Sequence, residues 1–189
     1  LAVKIHSGGN GSDGFLLVHE DAQVANPEDL KGKRICYTDP HSTTGYVYPR
    51  ATLRSWGLDP ETDFAKPDVY SQNHHQLIID LIAGKCDVGG TFAAAYTSAK
   101  KTGINAAKAR VFTITGRTPH DSICSGPKVG PDLKAKMKQA LIDFDPQTEA
   151  GVSHLGDVEE LSGFSEVTDD VYDPVRKALD AARRAEFSQ

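Results

Sequence analysis

Residues 38 to 50, TDPHSTTGYVYPR, place three consecutive hydroxyls and a glycine between a short apolar run and a segment with helical spacing. The run before them, RICYTD at 34 to 39, is ended by turn formers and suits a buried strand. A helix is expected from Thr43 to about Trp56, with Leu53 and Trp56 on one face, Gly57 closing it and Pro49 kinking it. A strand entering a helix through such a loop gathers unpaired backbone N–H groups and the positive end of the helix dipole at one point, which is a seat for an anion. Capping alone needs a single hydroxyl. Three hydroxyls followed by Gly45 leave room for close approach by a ligand. On the motif alone both readings stand: Ser42 as an N-cap with solvated threonines, or Ser42, Thr43 and Thr44 as donors to an oxyanion.

The same strand-to-helix alternation recurs along the chain. GFLLVHED (14 to 21) reads as a strand, and NPEDLKGK (26 to 33) as a turn of helix stopped by Gly32. Leu77, Ile78, Leu81 and Ile82 recur at helical spacing from His74 or His75 to Ala83, with Gly84 after them and a strand-like KCDVGG next. ARVFTITGRTP (109 to 119) has the β-branched content of a strand. PDLKAKMKQALIDF (131 to 144) is an amphipathic helix with Leu133, Met137, Ala140, Leu141 and Phe144 on one face, and residues 169 to 185 form a last helix. This order predicts an α/β protein with a mostly parallel sheet flanked by helices.

Charge and cysteine content narrow the function classes. With 26 acidic against 21 basic residues the formal charge is -5, and no basic run is interleaved with aromatics, so a nucleic-acid partner is not expected. No apolar stretch has the roughly 18 to 20 residues of a spanning helix. Cys36, Cys86 and Cys124 show no CxxC and no metal-ligand spacing. Cys36 and Cys86 lie in apolar runs and are expected as small buried hydrophobes.

Three blocks carry a resemblance. DLKGKRICYTDPHSTTGYVYPRATL (29 to 53), NHHQLIIDLIAGKCDVGG (73 to 90) and TGRTPHDSICSGPKVGPDLKAKMKQAL (115 to 141) stand in one order. Together they resemble the phosphate, phosphite and phosphonate binding proteins of ABC importers, over residues 14 to about 145. The resemblance implies the two-lobed type II periplasmic-binding-protein fold. Residues 17–116 would then be the second lobe, carrying the oxyanion site. Residues 1–16 and 117–189 would be a remnant of the first lobe with its hinge segments, most of the family's N-terminal lobe being absent. SGGNGSDGFLLV (7 to 18) and ITGRTPHDS (114 to 122) would be the crossings.

The resemblance carries Ser42, Thr43, Thr44 and Gly45 into the oxyanion seat, Thr44 keeping the hydroxyl of the family's usual serine. The family histidine falls on His74, with His75 standing where an aspartate is common. Asp121 aligns near the inter-lobe crossing, where a carboxylate can meet a ligand amine or a protonated oxyanion. Ala94 stands where some phosphonate binders are acidic, which favours a smaller or differently substituted oxyanion. Tyr46 is a candidate to line the cleft. The family would place the protein in the periplasm or outside the cell, as a secreted or lipid-anchored precursor, serving the membrane subunits of an ABC transporter. A second chain or copy could complete the cleft.

Other classes are weaker. Cys124, His120 and Asp121 offer a thiol near an imidazole, but adjacent residues rarely face one another, and no nucleophile elbow or phosphate loop accompanies them. A metal site from His74, His75 and His120 has no supporting pattern. No enzyme activity, cofactor or metal is expected. A sensor or interaction module that kept the fold without transport is the alternative.

Overall fold

The computed structural model describes residues 2–6, 9–146, 148 and 161–183. The chain divides into two units, the first within residues 1–12 and 119–173 and the second within 13–118 and 174–189.

The second unit is built on a five-stranded sheet. Its strands are β2 (Gly11–His19), β3 (Arg34–Tyr37), β4 (Ala65–Tyr70), β5 (Val88–Phe92) and β6 (Ala109–Pro119), in the order β4-β3-β5-β2-β6. β3 runs parallel to both β4 and β5, while β2 is antiparallel to β5, with Leu16 opposite Gly90. The α/β class holds, and the pairing expected to be mostly parallel is mixed. Parallel neighbours need a crossover connection, and helices link β3 to β4 and β4 to β5.

Alternation along the strands sends side chains to two cores. Leu16, Val18, Ile35, Tyr37 and Val88 join Leu53 of α1 (Tyr48–Ser55) on one face. Leu17 and Cys36 join Leu77, Ile78 and Leu81 of α2 (His74–Ile82) on the other, together with Tyr96 and Ala99 of α3 (Ala93–Lys101). Gly84 (φ +71) follows α2, Gly32 (φ +73) follows the helical turn Pro27–Leu30, and Gly57 (φ +77) follows α1. All three glycines stand where the sequence places helix ends.

The helix expected from Thr43 is two pieces. A π-helical turn, Thr43–Val47, precedes α1, with Val47 N–H and Tyr48 N–H donating to Ser42 O and Thr43 O. Pro49 therefore occupies the first turn of α1, where its missing N–H costs nothing, and the expected kink is replaced by the π turn.

Cys36 and Cys86 are fully buried, as expected, but they are joined in a disulfide with a Cα–Cα distance of 5.8 Å. β3 and β5 pair side by side, which brings together residues 50 apart in sequence. No sequence spacing announces that contact.

The first unit holds a three-stranded antiparallel sheet, β7 (Ser122–Ile123), β1 (Ala2–His6) and β8 (Leu161–Ser165), in the order β7-β1-β8. α4 (Pro131–Ile142) lies with it, the Phe144 and Phe164 rings 6.2 Å apart. Leu133 and Met137, expected on a buried face, are 54% and 38% exposed. The last helix is a 3-10 turn at Asp169–Tyr172 followed by α5 (Asp173–Arg183). Residues 184 and 185 of the expected helix, and residues 7 and 8 of the expected first crossing, lie outside the described residues.

Candidate functional site

The carboxyl ends of β3, β4 and β5 deliver the loops that matter, since ligands of open α/β sheets sit beyond those ends. β3 runs out through Thr38 and Asp39. Asp39 forms a tight turn, its Oδ1 accepting from His41 N–H at 2.8 Å and its carbonyl from Ser42 N–H at 3.2 Å. Ser42 then caps the π turn, its Oγ accepting from Gly45 N–H at 3.0 Å.

Capping does not exhaust the Ser42 hydroxyl. Its oxygen accepts from Gly45 while its own proton stays available to donate. The helix start also leaves the N–H groups of Thr43 and Thr44 without a carbonyl acceptor among the described residues, as the first turn of any helix must. Ser42 and Thr43 are half-buried and Thr44 is buried. Two amides, up to three hydroxyls and the dipole end can thus serve one anion.

Two glycines make this turn possible. A β-carbon on Gly45 would stand 2.0 Å from Thr38 Oγ1, so only glycine lets the turn close on the end of β3. A β-carbon on Gly90 would stand 2.3 Å from Pro49 Cγ and 3.1 Å from Thr44 O, so β5 must be bare where the turn lies on it.

β5 also fixes the histidine. His74 opens α2, whose N-cap Asn73 accepts from Gln76 N–H. Its Nδ1 lies 3.2 Å from Oγ1 of the fully buried Thr91, and its ring meets Phe92 edge-on at 4.7 Å. Burial holds the imidazole below its ordinary range, opposed by the carboxylate of Asp39. His74 is half-buried and His75 exposed. Gly90 under the hydroxyl turn and Thr91 against His74 are consecutive residues, so turn and imidazole both meet the sheet at the carboxyl end of β5.

Two expected residues have other surroundings. Tyr46 packs into a cluster with Tyr37 at 4.9 Å and Tyr70 at 6.5 Å, and the Arg50 guanidinium lies 4.8 Å from its ring centre. Arg50 is 2% exposed and ion-paired to Glu61, so this cluster accounts for the position of Tyr46 without a ligand. Asp121 belongs to the first unit, where its exposed carboxylate pairs with Lys4 at 3.4 Å. The Cys124 thiol is exposed, with Ser122 Oγ 3.4 Å away, and His120 Nδ1 lies 3.3 Å from Lys4 O, so neither atom is directed at the other by these contacts. Among the described residues no group of three or more His, Cys, Asp or Glu is placed to hold a metal ion.

Thr38, Asp39, Gly90 and Thr91 were not anticipated. Asp39 and Thr38 open the same motif as Ser42, which was a usable signal; Gly90 and Thr91 matter only through the strand pairing that the sequence does not display.

Comparison with known proteins gives the family and the fold. The family described as the periplasmic substrate-binding protein of phosphonate ABC transporters matches residues 1–172. The phosphate-import protein PhnD of Mycolicibacterium smegmatis is 25% identical over 197 residues, covering 94% of this chain and 60% of that protein. A binding-protein component of a phosphonate ABC transporter from Pseudomonas aeruginosa superimposes with a TM-score of 0.76 at 19% identity, over 98% of this chain and 62% of that one. PhnD1 of Prochlorococcus marinus, solved with methylphosphonate, gives a TM-score of 0.70 at 16% identity, over 98% and 71%. This chain therefore spans about three fifths of the length of the first two relatives. The fold is that of the type II periplasmic binding proteins, and the chain belongs to the family of phosphonate substrate-binding proteins of ABC transporters.

Proposed function

We propose that this chain captures a phosphorus oxyanion for ABC-type uptake, holding it at the start of the π turn with Ser42, Thr43 and Thr44, with Gly45 giving the turn its close approach, assisted by His74. The observation that carries the reading is the pair of amides at Thr43 and Thr44 with no carbonyl acceptor among the described residues, in a turn that lies on Gly90, while the next residue of that strand, Thr91, meets the His74 imidazole. A tetrahedral oxyanion needs several donors converging on one point, and neutral amides and hydroxyls supply them without burying a cation. Thr43 and Thr44 serve as donors through both backbone and side chain. His74, neutral near pH 7 because it is buried, donates from whichever ring nitrogen carries its proton.

The protein performs no chemistry on its ligand in this account, and its partners are the membrane subunits of an importer. A periplasmic or extracellular location fits the buried Cys36–Cys86 disulfide, which persists in oxidising compartments, and no helix among the described residues is long and apolar enough to cross a membrane. Isothermal titration with phosphate, phosphite and methylphosphonate, with sulfate as control, tests the function. Saturable binding of a phosphorus oxyanion in preference to sulfate is the expected result; indifference of a folded chain to all four would refute it.

A further inference from the structure

A recess of about 290 Å3, lined by Thr38, Asp39, Pro40, Tyr70 and Gln72, opens at the carboxyl ends of β3 and β4. It adjoins the hydroxyl turn through Thr38 and Asp39, the latter accepting from Ser42 N–H. Thr38 lines the recess, and its Oγ1 also lies against Gly45, 2.0 Å from where a β-carbon there would stand. That threonine is 1% exposed, and its hydroxyl has no partner among the described residues.

The recess is lined mainly by apolar atoms. The Tyr70 ring, 45% exposed, is held in place by the rings of Tyr37 and Tyr46 at 6.0 and 6.5 Å. Gln72, at φ 68, is a non-glycine residue in the left-handed region, and its N–H donates to Thr38 O at 2.9 Å. Backbone strain of that kind persists where the surroundings impose it, and it gathers at binding sites. A pre-positioned aromatic surface with one side uncovered, next to a seat for an oxyanion, can desolvate an apolar group attached to that oxyanion. Asp39 stands at the rim with one carboxylate oxygen accepting from His41 N–H, so a second negative charge on the ligand would be repelled there.

We propose that this recess takes the carbon substituent of the ligand, so that the chain prefers a phosphonate or phosphate ester bearing an apolar, planar group over bare phosphate and rejects one bearing a carboxylate. The proposal rests on the oxyanion reading above. Titration of the chain with methylphosphonate, phenylphosphonate and phosphonoacetate tests it. Phenylphosphonate is expected to bind about ten-fold or more tightly than methylphosphonate, since several ring carbons leave water, and phosphonoacetate more weakly than either. Tyr70→Ala should bring the phenyl-to-methyl ratio close to one. Asp39→Asn keeps an acceptor for His41 N–H and should restore phosphonoacetate to the level of methylphosphonate, a result that does not depend on Tyr70. Binding of methylphosphonate with no phenyl advantage, or a Tyr70→Ala variant that keeps the ratio, overturns the recess and leaves the seat standing. Failure of methylphosphonate itself to bind removes the oxyanion reading and this inference with it.

Discussion

His74 Nδ1 lies 3.2 Å from the hydroxyl of Thr91, so the orientation of the imidazole is set from β5 rather than by the helix that carries it. The same ring is kept from charging by burial, against the pull of Asp39. A nearby oxyanion adds a further pull toward protonation, so binding should be coupled to proton uptake. The folded, unliganded imidazole has its pKa below 6.5 and the liganded one is raised, so His74 should strengthen binding as pH falls through the liganded value. The check is the difference in affinity between the native chain and His74→Gln, measured for methylphosphonate between about pH 8 and pH 5, around the ordinary histidine pKa of about 6.5. The difference should grow toward low pH; the ligand's own titration cancels in it. Thr91→Val should reduce the same difference by freeing the ring.

Ser42 and Thr43 should separate capping from binding. Ser42→Ala removes the acceptor for Gly45 N–H, and loss of such a cap costs about 0.5 to 2 kcal/mol of stability. It also removes a donor to the anion, worth about 1.5 to 3 kcal/mol if the bond is charge-assisted. Thr43→Val leaves the cap intact, so it should lower affinity with little change in unfolding midpoint. Urea unfolding and titration calorimetry on the two variants read the two effects independently.

Gly90→Ala tests the contact on which the turn rests. The added β-carbon would stand 2.3 Å from Pro49 Cγ, and forcing a methyl into a closed contact costs about 1 to 3 kcal/mol. Because the turn itself must move, oxyanion affinity should fall along with stability. A variant that unfolds at the native midpoint would show that Pro49 is not held against β5.

The Cys36–Cys86 bridge closes a segment with a sequence separation of 50. In the chain-entropy treatment such a loop stabilises by on the order of 4 kcal/mol. The double variant Cys36→Ala with Cys86→Ala should unfold at clearly lower denaturant, and reductant should lower the midpoint of the native chain but not of the variant.

Much of the second unit was legible because local signals agreed: the apolar run at 109 to 119 coincides with β6, and glycines 32, 57 and 84 mark helix ends. β4 was not, since AKPDVY carries Pro67 and faces the sheet from its edge, with little apolar pattern to announce it. At the site, Ser42, Thr43, Thr44 and Gly45 are contiguous and visible, and the choice between His74 and His75 needed the helix start in three dimensions. Tyr46 looked available and is packed beneath Arg50. Thr91 and Gly90 could not be found from sequence, because their importance comes from what crosses them. The same holds for the disulfide, set by which strands lie side by side.

The central claim is that the start of the π turn is an oxyanion seat, and amide NMR of the chain titrated with methylphosphonate addresses it most directly. The account predicts saturable shifts of the Thr43, Thr44 and Gly45 amides, with the His74 ring signals moving over the same concentration range and Thr43→Val weakening the effect. Saturable shifts confined to other parts of the chain, or a folded protein whose turn amides ignore the ligand, would contradict it.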